Sequence, residues 1–192
     1  MAVIKREHSS PCAFESEVQD ALWKRVGLQK RHPILTPNGH LWAWESDLIS
    51  VTKAGYAHEY EIKISRADFL AEQRDIAGAG EADWTSVTPK QFRHLALQGR
   101  TDHPALHACR RITDARVQEC AHGRPSHFWY VTTPGVCDPE EVPAYAGLMV
   151  VKDTNARCRV ENDAPAIHRN PLATEGVQRL AYLLTSKYWS TR

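Results

Sequence analysis

Two alternating stretches joined by a tight connection constrain the fold of this chain more than any other feature. Residues 41–52 and 57–65 are rich in β-branched and aromatic side chains, and a glycine-containing connection at residues 53–55 separates them. This pattern predicts two antiparallel strands that lie side by side. The spacing of the apolar residues then becomes helical at Ser65, which we expect to cap a helix.

The flanking segments extend this hairpin into an α/β pattern. Apolar residues recur at helical spacing in 14–26 and 177–189, whereas 127–133 and 146–152 are short apolar runs typical of buried strands. The order is helix, three strands, helix, two strands and helix. It predicts an α/β fold with a mixed central sheet flanked by helices.

Two segments have a less regular pattern. Residues 31–36 are a short extended piece, and the Pro-Asn-Gly sequence at 37–39 predicts a turn. Residues 71–125 are a variable insert in which a helix is predicted after Pro89. The chain of 192 residues is close to the usual size of one domain, so we expect residues 1–192 to form a single domain.

Composition excludes several classes of protein. Lys and Arg number 24 and Asp and Glu 23, so the net charge of +1 provides no general basic surface, and contacts with a nucleic acid must be local. No apolar run is long enough to span a bilayer, and we expect no membrane association. The five cysteines are widely spaced and the N-terminus lacks an apolar leader, which predicts a cytoplasmic location.

Charged residues of the predicted hairpin are the strongest candidates for chemistry. Side chains alternate along a strand, so Glu61 and Lys63 share a face, and Asp47 lies at a similar distance from the bend. The two carboxylates can hold Mg²⁺ or Mn²⁺, with the backbone carbonyl of Ile62 as a further ligand. Lys63 would stabilise charge that develops on a phosphate. The pattern therefore predicts metal-dependent phosphodiester hydrolysis.

The same residues resemble the PD-(D/E)xK nuclease superfamily. The shared pattern is an aspartate followed by Glu-x-Lys on the next strand, preceded by a helix that carries a glutamate. More closely, the segments FESEVQ, HLWAWESDLISV, AHEYEIKISRADFLA and HFWYVTTPG are similar, in that order, to phage and prophage proteins of the MmcB-like DNA-repair type. The resemblance covers most of the chain outside residues 71–125. One departure is Ser46, which stands before Asp47 where the family pattern has proline.

This resemblance implies both a fold and an activity. The fold would be restriction-endonuclease-like, with an αβββαβ core. The activity would be that of a metal-dependent deoxyribonuclease in phage DNA metabolism or DNA repair, inside a bacterial or phage-infected cell. Its partner would be DNA.

The resemblance also implies roles for individual residues. Asp47 and Glu61 would be metal ligands, and Lys63 would be the catalytic lysine. Either Glu15 or Glu17 would be the helix glutamate that binds or orients metal and water. Both flank the apolar stripe of the first helix, so the spacing does not separate them.

Three further residues are candidates for DNA binding. Ser65 could contact a phosphate at the start of its helix, in addition to capping it. Arg93 and His94 are candidates for positioning phosphates without reading sequence. Glu45 and Glu59, by contrast, are expected to be solvated neighbours of the site.

Other interpretations of the same residues stay open. The charged residues could form a solvent-facing strand edge, or the chain could be a DNA-binding or adaptor module that keeps a nuclease fold without catalysis. A zinc site built from Cys109, Cys120, His122 and His127 is disfavoured, because it lacks a closely spaced cysteine pair.

Overall fold

The computed structural model describes residues 14–24, 28–42, 44–78, 88–99, 124–153 and 158–190. The helices in these ranges are α1 (Glu15–Lys24), α2 (Leu28–Arg31), α3 (Arg66–Gly78), α4 (Pro89–Leu97) and α5 (Thr174–Ser190). The strands are β1 (Ile34–Gly39), β2 (Ser46–Val51), β3 (Ala57–Lys63), β4 (His127–Thr132), β5 (Ala146–Val151) and β6 (Cys158–Asn162).

The six strands form one open mixed sheet in the order β1-β2-β3-β4-β5-β6. Strands β1 to β3 are antiparallel neighbours, β3, β4 and β5 are parallel, and β6 returns antiparallel to β5. The predicted α/β fold with a mixed sheet flanked by helices is confirmed. Strand β6 was not predicted, because its sequence CRVEN is polar and its side chains are at least partly exposed at the sheet edge.

The first strand departs from the prediction in its position. The Pro37-Asn38-Gly39 segment, predicted to be a turn, lies within β1, and β2 begins at Ser46 instead of near Leu41. A proline is tolerated here because β1 is an edge strand, where the missing N–H breaks no ladder bond on the open side. Gly39 packs closely on β2, since a Cβ at this position would lie 3.0 Å from Cδ1 of Ile49 and that side chain would have to shift to accommodate it.

The sheet is covered on both faces. On one face, Val18 and Leu22 of α1 pack against Leu48, Tyr60 and Ile62 of the central strands. On the other face the covering helices are α3, α4 and α5, which contribute buried apolar residues such as Phe69, Leu97 and Leu180. Strand β3 is therefore buried on both sides, and its charged residues are removed from water unless the sheet end opens to solvent.

The predicted insert is partly described. Residues 71–78 continue α3, and α4 begins after Thr88, whose side chain and that of Gln91 form a reciprocal capping box. Three of the four proposed zinc ligands (Cys109, Cys120 and His122) lie outside the described residues. Within the described ranges, no helix is long and apolar enough to cross a bilayer.

Candidate active site

The pairing of β2 with β3 brings Asp47 opposite Glu61. Leu48 pairs with Tyr60 in this antiparallel ladder, so the next step in register places Asp47 against Glu61. Asp47 Oδ2 accepts a hydrogen bond of 2.6 Å from the backbone N–H of Ile62. A carboxylate is thus anchored to the neighbouring strand just beyond the Leu48–Tyr60 pair, at the end of the β2–β3 ladder.

Glu61 and Lys63 lie on the same face of β3, as the alternation of side chains predicts. Lys63 Nζ is 2.7 Å from Glu61 Oε1, 2.8 Å from Glu72 Oε2 and 3.5 Å from Asp68 Oδ2. Burial opposes protonation of Lys63, but the charges of Glu61 and Glu72 outweigh it and raise the pKa of the ammonium group. Lys63 is therefore held as a cation beside Glu61.

A cavity of about 710 Å³ opens at this end of the sheet. Asp47, Glu61 and Lys63 line it together, and α3 and α4 contribute residues of its rim. The structure therefore brings together the three residues on which the predicted chemistry depends. The other polar residues that line the cavity are Glu15, His40, Glu45, Asp68, Lys90 and Arg93.

The structure separates the two candidate helix glutamates. Glu15 lines the same cavity as Asp47, whereas Glu17 lines a different groove, between α1 and β1. Burial, and then the charge of Glu61, raise the pKa of the Glu15 carboxyl. Gln19, one turn further along α1, donates from Nε2 to Glu15 Oε1 at 3.0 Å and to the Asp47 carbonyl at 2.9 Å. Of the two glutamates, Glu15 is therefore the one that lies at the cavity of Asp47, Glu61 and Lys63.

The surroundings of Asp47 disfavour the ionised form of its carboxyl group. Burial, followed by the charge of Glu61, raises the pKa of Asp47 to about 7, although the Ile62 N–H opposes this. Glu15 raises it further. A cation in the cavity would relieve this repulsion and favour the ionised carboxylates.

The donor set fits a hard divalent cation that keeps most of its ligands as water. Asp47 and Glu61 offer carboxylate oxygens, and Ile62 lines the same cavity. Within the described residues, no group of three His, Cys, Asp or Glu side chains is arranged to hold a metal ion. Mg²⁺ and Mn²⁺ are often bound through only one or two protein carboxylates together with substrate phosphates, so the predicted metal site would depend on Asp47 and Glu61.

Arg93 and His94 have positions different from those predicted. They are 2% and 0% exposed, and Arg93 donates to Glu61 and Glu72 at 2.5 Å each. His94 Nε2 lies 3.0 Å from Glu72 Oε1. Neither side chain lies on an open surface, and each is paired with the buried carboxylate of Glu72. Their location therefore adds no support to a role in positioning phosphates, which stays a prediction.

Glu59 also differs from its prediction. It is fully buried, and its Oε1 accepts hydrogen bonds from Trp44 Nε1 at 2.8 Å and from Ser46 Oγ at 2.9 Å. Burial raises the pKa of Glu59 to about 8, with Arg93 opposing the shift. Ser46, which stands where the PD-(D/E)xK pattern has proline, thus has Glu59 as its hydrogen-bond partner. Glu45 is exposed, as expected.

Ser65 caps α3, as predicted. Its Oγ accepts a hydrogen bond of 3.2 Å from the backbone N–H of Asp68, and its carbonyl accepts the first helical bond, from Phe69. The Ser65 side chain is exposed, and its contact with a DNA phosphate stays a prediction.

Glu72 was missed by the sequence interpretation. It is buried and belongs to the inward face of α3 together with Phe69, three residues earlier. That spacing is a signal available in the sequence. The contact with Arg93 had no such signal, since 21 residues separate the partners.

Comparisons with known proteins bear on the fold. No family model matches the sequence, and no curated protein matches it. A solved structure, the SPO1766 protein of unknown function from Silicibacter pomeroyi, is similar with a TM-score of 0.54 and 12% sequence identity. The match covers 93% of this chain and 90% of that chain. A likeness at this level of identity concerns the fold alone.

Proposed function

We propose that this protein is a metal-dependent deoxyribonuclease that uses Mg²⁺ or Mn²⁺. The observation that supports the proposal is the meeting of Asp47, Glu61 and Lys63 on the wall of one open cavity, at the end of two adjacent strands. Two carboxylates and one lysine in this arrangement are suited to phosphodiester hydrolysis. The resemblance to PD-(D/E)xK nucleases favours DNA as the substrate, in phage DNA metabolism or repair.

Each residue has a role that follows from its position. Asp47 and Glu61 would hold the cation, which when bound lowers the pKa of its water and polarises a phosphoryl oxygen. Lys63, kept protonated by its carboxylate neighbours, would stabilise negative charge on the phosphate in the transition state. Glu15, which lines the same cavity and has a raised pKa, would bind or orient the metal ion and its water and would accept a proton from that water.

The cavity also offers contacts for the DNA backbone. Lys90, on the first turn of α4, is exposed on the rim of the cavity, and Ser65 is exposed at the start of α3. Such contacts position a nucleic acid without reading its sequence.

A cleavage assay tests this function. Purified protein is incubated with single-stranded, nicked and branched DNA, and with RNA, in the presence of Mg²⁺ or Mn²⁺. We expect cleavage of at least one DNA that is abolished by EDTA and reduced at least about 100-fold by Lys63→Ala. Arg159→Ala, which removes an exposed ion pair with Glu161 on β6, is the matched surface control. Equal cleavage by wild type and Lys63→Ala would overturn the proposal.

A second candidate function is a non-catalytic DNA-binding or adaptor module. The observation that favours it is that both oxygens of Glu61 already contact cationic side chains, Lys63 and Arg93. Such a carboxylate could be neutralised within the protein and need no metal ion. Calorimetric titration with Mn²⁺ separates the two functions, because an adaptor of this kind would show no heat of binding that depends on Asp47.

A further inference from the structure

Five buried charged side chains lie at the wall of the cavity or directly behind it. Glu59, Glu61, Lys63, Glu72 and Arg93 are each no more than 3% exposed. Burying ion pairs contributes little to stability, because the cost of removing the charges from water offsets their attraction. A group of this size next to a candidate active site therefore calls for an explanation other than stability.

Four of these residues form a closed ring of ion pairs. Arg93 joins Glu61 to Glu72. Its Nη1 lies 2.5 Å from the Glu61 carboxylate, and its Nη2 lies 2.5 Å from the Glu72 carboxylate. Lys63 joins the same two carboxylates, at 2.7 Å and 2.8 Å. Glu61, Lys63 and Arg93 line the cavity, whereas the Glu72 side chain has no exposed surface. The ring therefore connects the candidate catalytic pair to Glu72, which lies behind it.

Glu72 and Arg93 are also held by groups outside the ring. Glu72 Oε1 accepts a hydrogen bond of 3.0 Å from the Tyr130 hydroxyl and lies 3.0 Å from His94 Nε2. The Arg93 guanidinium carbon is 5.4 Å from the centre of the Phe128 ring, within cation–π range. Strand β4 and helices α3 and α4 thus fix Glu72 and Arg93 before any ligand enters.

We propose that Glu72 and Arg93 are positioning residues that hold Glu61 and Lys63 in the orientation needed for catalysis. The proposal rests on the nuclease function proposed above. A glutamate and a lysine have many rotamers, and each loses freedom only where partners constrain it. The ring constrains Glu61 at both oxygens and Lys63 from two sides. Neither Glu72 nor Arg93 needs to contact the DNA or the metal ion.

Two conservative substitutions test the positioning role. Glu72→Gln keeps the shape of the side chain but removes the charge that holds Lys63, and Arg93→Lys keeps the charge but cannot bridge two carboxylates. We expect each to lower kcat at least about 10-fold, with KM for DNA unchanged within about twofold. Arg159→Ala again serves as the control. Its ion pair with Glu161 lies on the edge strand β6, far along the chain from the residues that line the cavity.

A double substitution distinguishes positioning from a general structural role. If Glu72 acts through Lys63, Glu72→Gln should reduce single-turnover cleavage much less in the Lys63→Ala background than in the wild type. A purely structural defect would lower the activity of both backgrounds by the same factor, and would overturn the proposal. Addition of guanidinium to Arg93→Ala should restore part of the lost kcat.

The remaining outcomes separate this proposal from the proposed function. Wild-type kcat in folded Glu72→Gln and Arg93→Lys would overturn the positioning role and leave the nuclease function in place. Loss of the cooperative unfolding transition in both variants would show that Glu72 and Arg93 are needed for folding. That result would also overturn the positioning role. A wild-type protein that neither cleaves DNA nor binds Mn²⁺ would overturn both proposals.

Discussion

Asp47 Oδ2 accepts a 2.6 Å hydrogen bond from the backbone N–H of Ile62, so this carboxylate both joins two strands and faces the cavity. The bond fixes the side chain while burial and neighbouring carboxylates raise the pKa of Asp47 to about 7. A group held in an unfavourable charge state is a common feature of functional sites.

Asp47→Asn should stabilise the metal-free protein while abolishing metal binding. The Asp47 carboxyl binds its proton more tightly in the folded state than in the unfolded state. The unfolded chain loses this proton above about pH 4 and the folded protein only near pH 7, so the free energy of unfolding decreases as the pH rises between these values. An asparagine can still accept the Ile62 bond without that cost. We expect a gain on the order of 2 kcal/mol at pH 8, measured by urea unfolding in EDTA. A loss of stability would contradict this account of Asp47.

Metal binding should be visible as stabilisation of the wild type. An ion that binds only the folded state raises its stability by about 2.7 kcal/mol at a concentration 100 times Kd. We expect Mn²⁺ to raise Tm in a concentration-dependent manner, and EDTA to reverse the shift. Asp47→Asn should show no shift. An equal shift in both proteins would place the ion elsewhere.

Glu15 and Glu17 provide a matched pair of substitutions on one helix. Glu15 lines the cavity and Glu17 lines another groove, so Glu15→Gln should lower kcat for DNA cleavage by about 10- to 100-fold. Glu17→Gln should leave kcat within about twofold of wild type. Steady-state kinetics on one DNA substrate checks both. The reverse ranking would show that Glu17, and not Glu15, has the catalytic role.

Three histidines at the opposite end of the hairpin should make the fold sensitive to acid. His58 stacks on His127 with ring centres 4.4 Å apart and meets the edge of His32 at 4.9 Å. Burial, and then the neighbouring His127 and His32, lower the pKa of His58 to about 3. Burial also lowers the pKa of His32 and of His127.

The sign of this effect follows from proton binding. Below about pH 6.5 the unfolded chain protonates His58, whereas the folded protein does so only near pH 3, so stability falls by about 1.4 kcal/mol for each unit that the pH falls within this range. The lowered pKa values of His32 and His127 act in the same direction. His58→Gln should reduce that slope between pH 6.5 and 5, measured by urea unfolding. His40→Gln, at a side chain 57% exposed, is the control. An unchanged slope in His58→Gln would contradict the prediction.

The local pattern of the chain was sufficient for much of the fold. Alternation along residues 57–63 and helical spacing after Ser65 predicted β3, α3 and the shared face of Glu61 and Lys63, because these depend only on the geometry of one strand and one helix. Pairing across the short connection placed Asp47 opposite Glu61 for the same reason. Edge features escaped prediction: β6 is polar, and the Pro-Asn-Gly sequence at 37–39 is tolerated in β1 only because that strand lies at the sheet edge.

What the sequence determined by itself was which residues share a strand or helix face. Only the tertiary structure decided which of those faces meet. It distinguished Glu15 from Glu17, buried Glu59, and placed Arg93 between Glu61 and Glu72, which are 32 and 21 residues away along the chain. The physical reason is that periodicity acts over a few residues, whereas burial and ion pairing depend on how α3 and α4 pack over the sheet.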